Sequence, residues 1–191
     1  MINASFVNKL KADYKKREQE RRQIISRSND VLFQAKKTIF ALQREEIKVV
    51  EEKLETMESL LKKMEKEFGV TRLREEGAYH AAAEEYVEAK TLSFVVTGKK
   101  ITPIKGITLG YDSYLGGLCD LIGEMVRIAT NRAAKGKYES VAEMKDKAEE
   151  IMSSLLDFDL TGYLRTKYDQ ARGHLRKLEQ MAYEIRLRKD L

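Results

Sequence analysis

The chain has 191 residues, of which 42% are hydrophobic and 35% charged, with a net charge of +5 and a single cysteine. That length suits one well-cored domain, and the apolar fraction excludes a disordered chain. No apolar run reaches the roughly 18 residues a membrane span needs, no amino-terminal signal pattern is present, and one cysteine cannot build an intrachain disulfide framework. The expectation is a single domain over residues 1–191, cytoplasmic and with no membrane partner.

Charge is uneven along the chain. Residues 1–44 carry +7, residues 45–90 carry −5 and the remainder +3. A basic segment followed by an acidic one implies either a polyanionic partner or helices that pair with each other. One proline and eleven glycines leave few helix breakers, so the periodic segments read as long helices.

The first helix is expected from about Ser5, as N-cap, to Arg44, with Ile24, Val31, Leu32, Ala35, Ile39 and Leu42 on one stripe. The second, about Glu45 to Phe68, spaces Ile47, Val50, Leu54, Met57, Leu61, Met64 and Phe68 like a coiled-coil seam, and Gly69 ends it. That seam and the carboxy-terminal helix are the candidate subunit contacts. A third helix runs from about Glu75 to Val96. "TGKKITPIKGITLG" (Thr97–Gly110) reads as a loop or short hairpin. A fourth helix ends near Gly136, a fifth spans about Tyr138–Asp157, and a sixth spans about Thr161–Arg188. Short connections between long helices predict an all-α bundle of six to seven helices.

Two helices carry charges in unexpected places. On the third, the stripe Ala78, Ala82, Ala89, Leu92 and Val96 is interrupted by Glu85, and Glu88 lies one turn further on the same side. On the fourth, Asp120 and Glu124 share a face with Gly117, Arg127 and Asn131. Small residues at Gly116, Gly117 and Gly123 allow a neighbouring helix to come close. If the third and fourth helices pack together, Glu85, Glu88, Asp120 and Glu124 converge on an oxygen-only site. Such a site suits Mg²⁺ or Mn²⁺ rather than zinc. The competing reading is a solvated polar face with a Glu124–Arg127 ion pair, because carboxylate pairs at helical spacing are common in a Glu-rich chain.

Other chemistries are poorly supported. No CxxC pair, GxxxxGK[ST] loop or GxGxxG loop occurs. His80 and His174 fall on different predicted helices, and Cys119 reads as a small core residue. The basic residues Arg17, Arg21, Arg22 and Arg27, with Lys36, Lys37 and Arg127, are candidate phosphate-backbone contacts for a nucleic acid, against solvation for any one of them.

Four blocks, "SRSNDVLFQAKKTIFALQR" (Ser26–Arg44), "EEYVEA" (Glu84–Ala89), "YLGGLCDLIGEMVRIATN" (Tyr114–Asn131) and "YDQARGHLRKLEQMAYEIRLR" (Tyr168–Arg188), resemble the translin superfamily in order. The chain is similar to the translin-associated factor X branch in carrying all four acids, Glu85, Glu88, Asp120 and Glu124. The resemblance implies an all-α, translin-like bundle assembled into a hollow, octamer-like homo-oligomeric shell. It also implies a Mg²⁺-dependent (or Mn²⁺-dependent) endoribonuclease that cuts single-stranded RNA with metal-activated water. A translin-type partner subunit is a further implied possibility. The alternative is a non-catalytic protein that binds single-stranded RNA or DNA, and a third reading is a purely structural coiled-coil oligomer.

Overall fold

The computed structural model describes residues 2–189, with the backbone alone at Lys189. The expected domain limits, residues 1 and 191, lie outside that range. The described residues form seven α-helices and one 3₁₀ turn. In order these are α1 (Ala4–Gln43), the turn Ile47–Val49, α2 (Val50–Phe68), α3 (Val70–Leu73), α4 (Gly77–Val96), α5 (Tyr111–Ala133), α6 (Glu139–Leu156) and α7 (Gly162–Lys189). There is no strand among the described residues, so the fold is the expected all-α bundle and Thr97–Gly110 is a loop rather than a hairpin.

α1 is 40 residues long, about 60 Å at the helical rise. Its cap is Asn3 rather than Ser5. The Asn3 Oδ1 accepts from the Ser5 and Phe6 amides at 2.8 and 3.2 Å, which places Ser5 inside the first turn. No residue of α1 before Ile24 is buried. From there Ile24, Ser28, Val31, Ala35, Ile39 and Leu42 follow the helical repeat into the core. α1 packs along α4 and α2, and α5 packs against α4, α6 and α7. α4 and α5 are thus the two central helices, buried on several sides.

The α2 seam turns inward. Val50, Leu54, Met57, Leu61 and Met64 are buried within the chain, where α2 packs against α1. These side chains fill the core and are not available as the subunit contact expected of them. α2 ends at Gly69, whose φ of +80° suits a residue without a Cβ.

The α4–α5 contact depends on glycine. A Cβ on Gly117 would stand 2.9 Å from the Glu84 carbonyl oxygen and 2.8 Å from Val87, and one on Gly116 would overlap the Glu84 carboxylate. Gly123 plays the same part towards α7, with its missing Cβ facing the His174 ring at 3.3 Å. The glycines therefore bring α4 onto α5 where the acids lie, the approach their small size allowed, and bring α7 onto α5 as well, which the sequence did not indicate.

Candidate active site

α4 and α5 bring their acids to one cleft. Glu85 and Glu88 from α4, Asp120 and Glu124 from α5, Lys36 and Gln43 from α1, and Lys167 and His174 from α7 all line a pocket of about 530 Å³. Arg127 stands on its wall as well. Glu88 and Glu124 are only 6% and 8% exposed, which is rare for a carboxylate without a compensating partner. Glu85 and Asp120 are half-buried.

The partners are unevenly shared. Lys167 donates to Asp120 and, at 2.7 Å, to Glu84. Tyr163 also donates to Glu84 at 2.7 Å. Glu124 accepts from the Gln43 amide and lies 3.4 Å from Arg127. Among the described residues, no hydrogen bond or ion pair reaches the carboxylates of Glu85 or Glu88.

Electrostatics follow from this geometry. Burial pushes the Glu88 carboxyl up to about 9, and the neighbouring charges of Glu85, Asp120 and Glu124 push the same way. Burial also raises Glu85, against the pull of Lys36. It raises Asp120 against Lys167, and Glu124 against Gln43 and Arg127. Burial would lower Lys167, but its bonds to Asp120, Glu84 and Tyr163 outweigh that and hold it above the usual lysine range. His174 is lowered by burial and then by Lys177. Cys119, also on the wall, is pushed up to about 11 by burial and by Asp120. The pocket's single thiol is therefore protonated at neutral pH, and its acidic donors are hard carboxylate oxygens with one imidazole, His174, on the same wall.

The donor set fits a hard divalent cation. Among the described residues, however, no three His, Cys, Asp or Glu side chains are already gathered closely enough to hold one. The four acids line the wall of the cleft without meeting at a point.

The basic candidates divide in two. Lys36 and Arg127 line the pocket, and Lys37 lies over the Phe33 ring. Arg17 pairs with Glu75, Arg21 lies 3.4 Å from Glu76, and Arg27 bonds Glu67 and lies over Phe68. Those three arginines tie α1 to the acidic segment, so part of the charge asymmetry is helices pairing with each other. Arg22 is exposed. His80 faces Asp112 at 2.9 Å and the Arg74 carbonyl at 2.7 Å, away from this cleft.

Sequence reasoning missed Glu84, Gln43, Lys167 and His174. A signal was present on α7, where Tyr163, Lys167, Gln170 and His174 recur at spacings of four, three and four and form a polar stripe.

An all-helical bundle with an acid-lined cleft between its two central helices defines the class. Within it, this chain belongs to the Translin family, whose family model matches residues 19–189. It is 28% identical over 117 residues to translin of Bos taurus and of Homo sapiens, covering 56% of this chain and 50% of theirs. The match to translin of Gallus gallus is 28% over 112 residues. The chain thus spans about half the length of the curated relatives it matches. Among solved structures it superposes on AfC3PO with a TM-score of 0.85 at 20% identity, covering 97% of this chain and 99% of that one. AfC3PO in complex with duplex RNA gives 0.83 at 20% identity, covering 95% and 96%. Apo-NeC3PO gives 0.82 at 24%, covering 96% and 97%. At these identities the likeness is one of fold.

Proposed function

We propose that the chain is a divalent-metal-dependent endoribonuclease of the translin-associated factor X type, cutting single-stranded RNA inside a homo-oligomeric, octamer-like shell. One observation supports this most. Four carboxylates from adjacent helices share a cleft in which, among the described residues, no hydrogen bond or ion pair reaches the buried Glu88. Carrying a buried charge without a partner is costly, so Glu88 holds its proton in the metal-free protein, and a divalent cation that displaces the proton is the partner four carboxylates suit.

Glu85, Glu88, Asp120 and Glu124 would hold Mg²⁺ or Mn²⁺. Sharing one ion requires these side chains to rotate inward and Asp120 to exchange Lys167 for the ion. When bound, the ion polarises the phosphodiester and acidifies a water enough to act as nucleophile at neutral pH. The protein's own groups supply the rest. Lys36 and Arg127 draw phosphates to the cleft mouth, Lys167 balances the charge of Glu84, and Gln43 orients Glu124. Water attack leaves a 5′-phosphate and a 3′-hydroxyl.

RNA as the ligand gains support from AfC3PO, which shares the fold and has been captured with duplex RNA. A buried, unpaired cysteine fits a cytoplasmic setting. A translin-type partner subunit is a further element of the proposal. The second reading, a non-catalytic RNA- or DNA-binding subunit, is favoured by Lys167, which already neutralises Asp120.

The deciding experiment follows cleavage of a labelled single-stranded RNA with Mg²⁺, with Mn²⁺ and with EDTA, using the wild type, Glu88→Gln and Glu124→Ala. Cleavage that needs the metal and is lost in both variants is expected. Unchanged cleavage in the variants overturns the assignment, and binding without cleavage under every cation selects the second reading. A 2′,3′-cyclic phosphate product overturns attack by water.

A further inference from the structure

Phe33 and Phe40 are large apolar side chains left 56% and 52% exposed on α1. Both are stacked with cations: the Lys37 ammonium lies 4.2 Å from the Phe33 ring centre, and the Arg44 guanidinium lies 4.1 Å from that of Phe40. The four residues follow at spacings of four, three and four, so they form one stripe along the helix. The stripe runs into the acid-lined cleft, because Phe40 and Lys36 are on its wall. The only acid on α1 between Ile24 and Arg44 is Asp30, one turn before Phe33.

The geometry points to this stripe as a base-stacking platform that feeds a single-stranded nucleic acid to the cleft. This deepens, and rests on, the nucleic-acid reading above. Exposed rings alternating with cations are the combination that binds single strands without regard to sequence, the rings taking base faces and the cations taking phosphates. The spacing says which strand fits. Seven residues separate the rings by about 10 Å along the helix, whereas bases stacked in a duplex strand repeat at about 3.4 Å. The two rings therefore suit bases splayed out on an extended strand, and a duplex, with its base faces covered, offers them nothing. Each cation is placed to meet the phosphate attached to the base on its ring. The next phosphates along then fall towards Lys36 and Arg127 at the cleft.

The test measures affinity by fluorescence anisotropy in EDTA, so that cleavage does not intervene. The probes are a labelled 12-nucleotide single-stranded RNA, an abasic strand of equal length and an RNA duplex. The proteins are the wild type and the Phe33/Phe40 double variants to Ala, Leu and Tyr. Loss of both stacking rings in the Ala variant is expected to weaken single-strand binding about 100-fold. Tyr should restore binding and Leu should not, while affinity for the abasic strand and the duplex should be the same in all four proteins.

Wild-type affinity in the double Ala variant overturns the platform but leaves the nucleic-acid reading intact. So does rescue by Leu as complete as by Tyr, since that marks simple apolar burial. If light scattering shows that the Ala variant loses its assembly while its single-strand affinity is kept, the stripe is a contact between copies and the platform falls. A wild type that binds no RNA at all refutes the nucleic-acid reading itself, an outcome distinct from the others.

Discussion

Replacing Glu88 by Gln should stabilise the metal-free protein at neutral pH. The Glu88 carboxyl titrates at about 9 in the fold against 4.5 in the unfolded chain. Below pH 4.5 both states hold the proton and Glu88 contributes no pH dependence. Between 4.5 and 9 the folded protein keeps the proton while the unfolded chain has lost it, so stability falls as pH rises. The slope is about 1.4 kcal/mol per pH unit, which accumulates to about 3 kcal/mol at pH 7. Glutamine has the shape of the protonated acid and no proton to lose, so the variant escapes this penalty. For a chain of this size, 3 kcal/mol corresponds to a Tm rise of about 6–12 °C. Thermal unfolding in EDTA, followed by circular dichroism at pH 5 and pH 7.5, should give nearly equal Tm values at the lower pH and the full gap at the higher. Addition of Mn²⁺ should then stabilise the wild type increasingly as pH rises, because the ion takes the deprotonated acid. It should do little for the variant. Parallel pH profiles for the two proteins in EDTA, or a variant less stable than the wild type at pH 7.5, would falsify the account of Glu88 as a buried acid without a partner.

Other substitutions probe the packing that builds the cleft. Gly117→Ala should destabilise by about 1–2 kcal/mol, because overpacking against the Glu84 backbone exceeds the gain in helix propensity. Gly173→Ala, inside α7 with open space around it, should stabilise by about 0.5–1 kcal/mol. Urea denaturation of the pair checks both signs. Lys167→Met leaves Asp120 and Glu84 without their cation and should cost about 3 kcal/mol at pH 8. The loss should be smaller at pH 5 than at pH 8, because burial raises the Asp120 carboxyl and a protonated acid needs no cation, and equal losses at the two pH values would contradict the ion-pair account. Burial alone would raise Glu58, but bonds from Lys90 and Tyr86 outweigh it and hold the carboxyl low. Its contribution is complete above the unfolded value and is lost as pH falls through the folded one. Glu58→Gln should therefore flatten the acid limb of the stability curve measured between pH 5 and pH 3.

The half of the cleft that could be read from the sequence is the half contained within single helices. Spacing puts Glu85 with Glu88, and Asp120 with Glu124, without knowledge of any neighbour. The glycines that oppose them are visible in the same stretch. Lys167 and Gln43 meet Asp120 and Glu124 across 47 and 81 residues of chain, a relation set by how α1 and α7 pack on α5. Glu84 illustrates the difficulty best. It stands beside Glu85 in the sequence, yet one position around a helix turns it about 100°, onto Tyr163 and onto Lys167, the lysine it shares with Asp120. The basic residues of α1 were misleading for a related reason, since composition counts Arg17, Arg21 and Arg27 alike with Lys36 and Lys37. Only the fold shows that the first three are matched by Glu75, Glu76 and Glu67. That pairing has a functional consequence. Three arginines of α1 are matched by acids of the following segment, whereas Lys36 stands on the wall of the cleft beside the acids of α4 and α5. On the proposed function, a strand reaching that end of the helix would meet the stacked phenylalanines and the carboxylate cleft together.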